Sequence, residues 1–180
     1  MIPLSVATDE LSRQARGHVL YKGRPEWLDD PLLRSLVAEA AGLRAGAERV
    51  DRQFHCPVGP VGRSFTRSTP MQQLLEPLAP GLRPSGNANY LYYDRPAAGI
   101  NPHKDSVDFP LQVLMMVDQT GWTATSRSAL LLFPDGPDTP PLRVVLDPGE
   151  FVFFRASEIF HARSPLCETE RVTLIGAGYR

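Results

Sequence analysis

The sequence predicts a mainly β protein, an antiparallel sandwich or barrel with helices packed on its outside. Three observations carry that prediction. From Asn87 onward, short apolar or aromatic runs follow one another, separated by Gly, Pro, Asp and Asn. Helix signals are confined to the first half, so strands and helices do not alternate as they would in a parallel α/β sheet. The chain has 180 residues, enough for one well-formed core. It therefore reads as a single domain over 1–180, with 1–86 as helical and loop support and 87–180 as the β-core.

Taken in order, the N-terminal MIPLSVATDELSRQARG has no basic leader and no apolar stretch long enough for export. No segment approaches the roughly 20 apolar residues of a membrane span. A cytoplasmic protein is the expectation. Asp30-Pro31 then offers an N-cap acceptor followed by a proline suited to a first helical turn. Behind it Leu32, Leu33, Leu36, Val37, Ala40 and Ala41 form one apolar stripe, ending near Gly42 to Gly46. The segment Cys56 to Arg63 is a loop by composition. A second helix is expected to start at Thr69-Pro70-Met71-Gln72, a capping-box pattern, and to stop at Pro80-Gly81. The expected strands are Tyr90 to Tyr93, Leu111 to Val117, Ala129 to Phe133, Leu142 to Leu146, Phe151 to Phe154 and Val172 to Ala177. Pro134 to Pro141 is too rich in proline for a central strand and joins two of them.

Nineteen basic and twenty acidic side chains leave a net charge of -1. That balance disfavours nucleic acid or an anionic membrane as partner and leaves a small molecule as the expected one. Cys56 and Cys167 form no CxxC unit and are expected to be ordinary thiols. Monomer and homodimer are both compatible with the sequence.

The chemistry-bearing residues lie in the second half. His103 and Asp105 stand two apart, and in an extended segment both point to the same side, where an imidazole nitrogen and a carboxylate oxygen can converge on one ion. Alone the pair is weak, because four His and eleven Asp in the chain place such a pair readily by chance. His161 supplies a third ligand after the run Phe151 to Phe154. Two histidines and one carboxylate can occupy one face of an octahedral ferrous ion and leave the other positions for substrate, cosubstrate and O₂. A zinc hydrolase uses similar ligands. Arg171 opens the last strand, sharing a face with Thr173 and Ile175; a guanidinium facing the core requires an anion, and its fork suits a carboxylate.

The order His103-x-Asp105, His161, Arg171 resembles the Fe(II)/2-oxoglutarate-dependent dioxygenase superfamily over about residues 87–180. The resemblance implies a double-stranded β-helix, the jelly-roll or cupin-like core. It also implies Fe(II) on His103, Asp105 and His161, with 2-oxoglutarate as cosubstrate and O₂ as oxidant. Arg171 would hold the far carboxylate of 2-oxoglutarate, assisted by Thr173, Tyr90 or Tyr92. Residues 118–128 lack the glycine pair and acidic residue common at that point of the family. Asp105 favours hydroxylation over halogenation, which would need a small residue there.

Arg127 and Arg163 are candidate substrate clamps and Trp122 a candidate pocket cap; with the short chain they favour a small polar metabolite such as an amino acid or its derivative. Rival readings are a nucleic-acid demethylase or peptidyl hydroxylase of the same fold, a cupin-type metal enzyme that ignores 2-oxoglutarate, and a non-enzymatic β-sandwich binding module. The cupin-type reading predicts that Arg171 faces solvent. His18 and His55 have no motif context.

Overall fold

Alternation along each strand builds a sheet with two apolar faces, and the two faces bury against different partners. A computed structural model describes residues 17–123 and 125–180; the N-terminal stretch 1–16, read above for an export leader, lies outside them. The major sheet contains β1 (Val19–Gly23), β2 (Glu48–Val50), β3 (Gln53–Pro57), β4 (Pro84–Tyr93), β6 (Leu111–Thr120), β9 (Phe151–Phe154) and β11 (Arg171–Tyr179), in the order β1-β9-β6-β11-β4-β3-β2. A second sheet is formed by β5 (Ile100–His103), β7 (Leu130–Phe133), β8 (Leu142–Val144) and β10 (Phe160–Arg163), in the order β5-β10-β7-β8. The pairings within both sheets are antiparallel.

The run Phe151-Val152-Phe153-Phe154 explains itself in this frame. Phe151 and Phe153 join one apolar cluster with Tyr90, Tyr92, Met115 and Ile175, beneath the helices. Val152 and Phe154 join a second with Tyr93, Met116, Leu132 and Leu174, between the sheets. A strand buried on both faces loses the polar half of its alternation and reads as a continuous apolar run.

The helices are α1 (Asp30–Leu43), α2 (Pro60–Thr66) and α3 (Thr69–Leu75), with a 3-10 turn at Arg44–Gly46. Two cap expectations move by one residue. Asp29, not Asp30, caps α1, its Oδ1 accepting from Leu32 N at 2.8 Å, while Asp30 pairs with Arg24 at 2.6 Å. Ser68 caps α3, its Oγ accepting from Met71 N at 3.3 Å, and Gln72 donates to Arg67 O, so no reciprocal box forms. That helix stops at Leu75, well before Pro80-Gly81.

The expected loop from Cys56 to Arg63 instead ends β3 and begins α2. Gly59 gives α2 no side-chain cap; the Glu39 carboxylate of α1 accepts from Val61 N at 2.7 Å and Gly62 N at 2.8 Å. A Cβ on Gly59 would come within 2.5 Å of the Glu39 carboxylate, so this cap depends on glycine. The N-terminal half also supplies β1, β2 and β3 to the major sheet, and the expected boundary at residue 87 falls inside β4. Among the described residues no helix is long and apolar enough to cross a membrane.

Candidate functional site

The second sheet places the two histidines of the candidate metal site. On β5 and β10, His103 and His161 are direct cross-strand partners, with ring centroids 4.3 Å apart. Asp105, two residues beyond His103, is fixed by its own N–H, which donates to Ala156 O at 3.0 Å. Asp105 Oδ1 then lies 3.5 Å from His103 Nε2 and 3.6 Å from His161 Nε2. One ligand atom from each residue falls within 4.8 Å of the other two.

Both imidazoles are oriented by backbone. His103 Nδ1 is 2.9 Å from Asn101 O and His161 Nδ1 is 3.2 Å from Ile159 O. A proton on Nδ1 donated to these carbonyls leaves the Nε2 lone pair facing the common centre, the arrangement that fixes a ligating histidine. The Phe154 ring packs edge-on to His161 at 5.0 Å. The Asp105 hydrogen bond raises the His103 pKa above its ordinary value, against the effect of burial. Burial acts to raise the Asp105 carboxyl, yet hydrogen bonds from His103 and His161 and their charges outweigh it and hold the group well below the usual carboxylate range. An anion already poised between two imidazoles is the donor set a divalent ion needs, so these residues fit Fe(II).

The triad opens on a cavity of about 330 Å³ between the sheets. That is the lower end of the range for small-molecule sites. Tyr93, Met116, Leu130, Arg163 and Leu174 contribute to its wall. Arg163 has 6% relative exposure, and among the described residues no salt bridge involves it. Its Nη2 donates to Ser128 Oγ at 2.8 Å, and its Nε is buried without a partner. Its guanidinium carbon stands 5.3 Å from the Tyr93 ring centroid. Burial lowers the Arg163 pKa from its ordinary value, opposed by Tyr93 and Glu170, and burial pushes the Tyr93 phenol up to about 12.

Behind Arg163 the Ser128 hydroxyl accepts from the guanidinium and donates to Glu170 Oε1 at 2.7 Å. Glu170 is fully buried, and the same oxygen accepts from Ser128 N and Gln119 Nε2. The nearest carboxylate of this network therefore reaches Arg163 through a hydroxyl, not by direct contact. One buried cation faces the cavity with unfilled donor capacity.

The residues expected to hold the far carboxylate lie elsewhere. Arg171, Thr173 and Ile175 do share a face of β11, but that face packs toward the helices, while Leu174, Gly176 and Gly178 line the cavity. Arg171 is exposed, donates Nη1 to Glu168 O and Glu170 O, and borders a separate cleft with Thr173 and Val37. Tyr90 and Tyr92 face the same way, donating to Glu39 Oε1 and Ala40 O. Strand phase alone gave two faces; which one is the cavity depends on what packs against each.

The substrate residues also divide. Arg127 is committed to Asp147 at 2.8 Å, Gln119 Oε1 and Leu146 O, with its guanidinium over Trp122. Trp122 is 43% exposed and neither residue lines the cavity. Only Arg163 of that group does. Sequence reasoning missed Tyr93, Ser128, Gln53, His55, Asn87 and Asn89 as lining residues. Tyr93 was within reach, since it alternates with Tyr92; the β3 residues carry no sequence signal.

No family model and no curated protein matches the sequence. Solved structures do match. The non-heme alpha ketoglutarate dependent epimerase SnoN from nogalamycin biosynthesis superposes with a TM-score of 0.76 at 19% identity, covering 98% of this chain and 83% of its own. A prolyl-4-hydroxylase from Pseudomonas putida gives 0.69 at 17% identity, covering 94% and 96%. The non-heme alpha ketoglutarate dependent carbocyclase SnoK, also from nogalamycin biosynthesis, gives 0.72 at 15% identity, covering 94% and 82%. The chain thus shares its fold with these alpha ketoglutarate dependent and prolyl-4-hydroxylase structures, and carries a His/Asp/His cluster that could hold a metal ion.

Proposed function

We propose that this protein is an Fe(II)/2-oxoglutarate-dependent oxygenase that hydroxylates a C–H bond of a small polar metabolite, of about the size of an amino acid or its derivative. His103, Asp105 and His161 hold the metal. The observation that carries the cosubstrate assignment is Arg163, a buried guanidinium with an unpartnered Nε in the cavity that the triad opens on. A buried cation without a counter-ion is costly, and a bound carboxylate removes that cost. A cavity with a metal site and an anion anchor suits a small ligand that chelates at one end and carries a carboxylate at the other.

When bound, Fe(II) and 2-oxoglutarate supply the oxidising power, O₂ being consumed and succinate and CO₂ released. The chain's own contribution is placement. Asn101 O and Ile159 O hold the imidazoles in the ligating tautomer. Ser128 and the Tyr93 ring fix the Arg163 fork. Leu114, Met116, Leu130 and Leu174 keep the cavity wall dry around the reacting carbon.

The outward Arg171 is the mark expected of a cupin-type enzyme that ignores 2-oxoglutarate, and this is the second reading. One anaerobic titration separates the two. Fe(II) is added first, then 2-oxoglutarate, and the weak visible charge-transfer band of a chelated ferrous keto-acid is followed. The band appears under the first reading. Tight iron binding with no band supports the second, and no iron binding removes both.

A further inference from the structure

We propose that the β3–β4 side of the cavity, presented by Gln53, His55, Asn87 and Asn89, binds an uncharged hydroxyl-bearing part of the substrate, of the kind carried by a sugar or cyclitol. This rests on the oxygenase reading and narrows its substrate. All four side chains line the cavity, on the faces of β3 and β4 that also carry Leu91 and Tyr93. Gln53 is 4% exposed, and its Oε1 is buried without a hydrogen-bond partner; His55 Nε2 is likewise buried and unpartnered.

An orphaned buried polar atom costs about 1–3 kcal/mol. Two of them side by side on one wall of a ligand cavity are accounted for when a ligand completes them. The cavity's formal charges decide what that ligand carries. Among its lining residues Arg163 is the one cation outside the imidazoles and Asp105 the one carboxylate. Both are taken, by the cosubstrate and the metal. A second carboxylate would find no cation, because Arg127 is spent on Asp147. An ammonium would find no free carboxylate.

A hydroxyl meets the remaining demand. It donates to Gln53 Oε1 and serves His55 Nε2 as donor or acceptor in either tautomer. Burial lowers the His55 pKa and so favours the neutral ring. Asn89 Nδ2 donates to Asn87 Oδ1 at 2.8 Å and extends the row of neutral amides along β4.

The test uses the full chain loaded with Zn(II) and 2-oxoglutarate. Saturation-transfer NMR is recorded with methyl α-glucopyranoside and myo-inositol as neutral probes and with glutamate and lysine as charged ones. The neutral probes are expected to bind and the charged ones to bind more weakly. Gln53→Leu and His55→Phe should each weaken the neutral probes roughly threefold to tenfold, the loss of one neutral hydrogen bond. Because Gln53→Leu removes an orphaned acceptor, its melting temperature should rise, which a residue serving only the fold would not produce. Tighter binding of glutamate or lysine, absence of binding by either neutral probe, or unchanged neutral binding in both variants would overturn the proposal. The visible band of the Fe(II) form, measured on the same preparation, reports separately on the oxygenase reading: its absence removes that reading, while the Zn(II) protein alone still decides the hydroxyl subsite.

Discussion

Replacing Arg163 by methionine separates the two arginines that compete for the cosubstrate. Methionine keeps the unbranched stem against Tyr93 and removes the charge and its fork. In the liganded state the lost interaction is a charge-assisted pair inside a cavity of low polarity. Truncating one partner of such a pair costs about 2–4 kcal/mol. At 1.4 kcal/mol per decade this raises the 2-oxoglutarate concentration needed for half-saturation by roughly 30-fold to 1,000-fold. In the ligand-free state the sign reverses: a buried guanidinium with an unpartnered Nε is removed, so the melting temperature should hold or rise. Arg163→Lys keeps the charge without the fork and should recover part of the affinity. The assay is the anaerobic band titration on the Fe(II) protein, run beside Arg171→Met. Since Arg171 bonds only backbone carbonyls on the far face, its variant should stay within about threefold of the parent. A large effect of Arg171→Met with none from Arg163→Met would refute the assignment.

Three further outcomes follow from the geometry. In the metal-free protein, the raised His103 pKa contributes stability that is complete below its ordinary value of 6.5 and lost as pH rises through the folded value, while the depressed Asp105 contributes stability above 3.8 that is lost in stronger acid. Metal binding needs neutral imidazoles, so Zn(II) affinity should instead increase as pH rises through the folded His103 value, and melting curves with and without Zn(II) across that range should diverge; parallel curves would refute the shared site. Glu39→Ala removes the acceptor for Val61 N, Gly62 N and the Tyr90 hydroxyl and should cost about 2–4 kcal/mol by urea unfolding, without altering the ferrous band. Gly121 has φ of 70°, and a Cβ there would stand 2.0 Å from Thr169 O, so Gly121→Ala should cost about 3 kcal/mol or more; an unchanged urea midpoint would show that the turn carrying Glu170 can shift freely.

Much of the fold was legible because strand texture is local. The six expected strand runs all overlap observed strands, since β-branched, aromatic and leucine-rich segments between turn residues report their own pairing. β1, β2, β3, β5 and β10 were not among the expected strands. Each is short, and sequences such as INPH and QFHCP carry no alternation of their own. Helix α2 was hidden for a related reason: its cap is Glu39, 22 residues before Val61, and no local window contains both.

The sequence by itself named the three residues, His103, Asp105 and His161, that the fold brings within 4.8 Å of one another. The spacing of His103 and Asp105 allows both side chains to point to one side, though Asp105 itself lies just past β5 and is placed by its N–H to Ala156 O. Which arginine faces that triad was decided only by tertiary structure. Strand phase put Arg171 on one face of β11 with Thr173 and Ile175, and phase assigns residues to two faces without saying what lies over each. The helices cover the Arg171 face of β11, the second sheet covers the other, and Arg163 on β10 is left in the cavity. The same packing brought Gln53 and His55, from a segment with no motif, to the wall of the site.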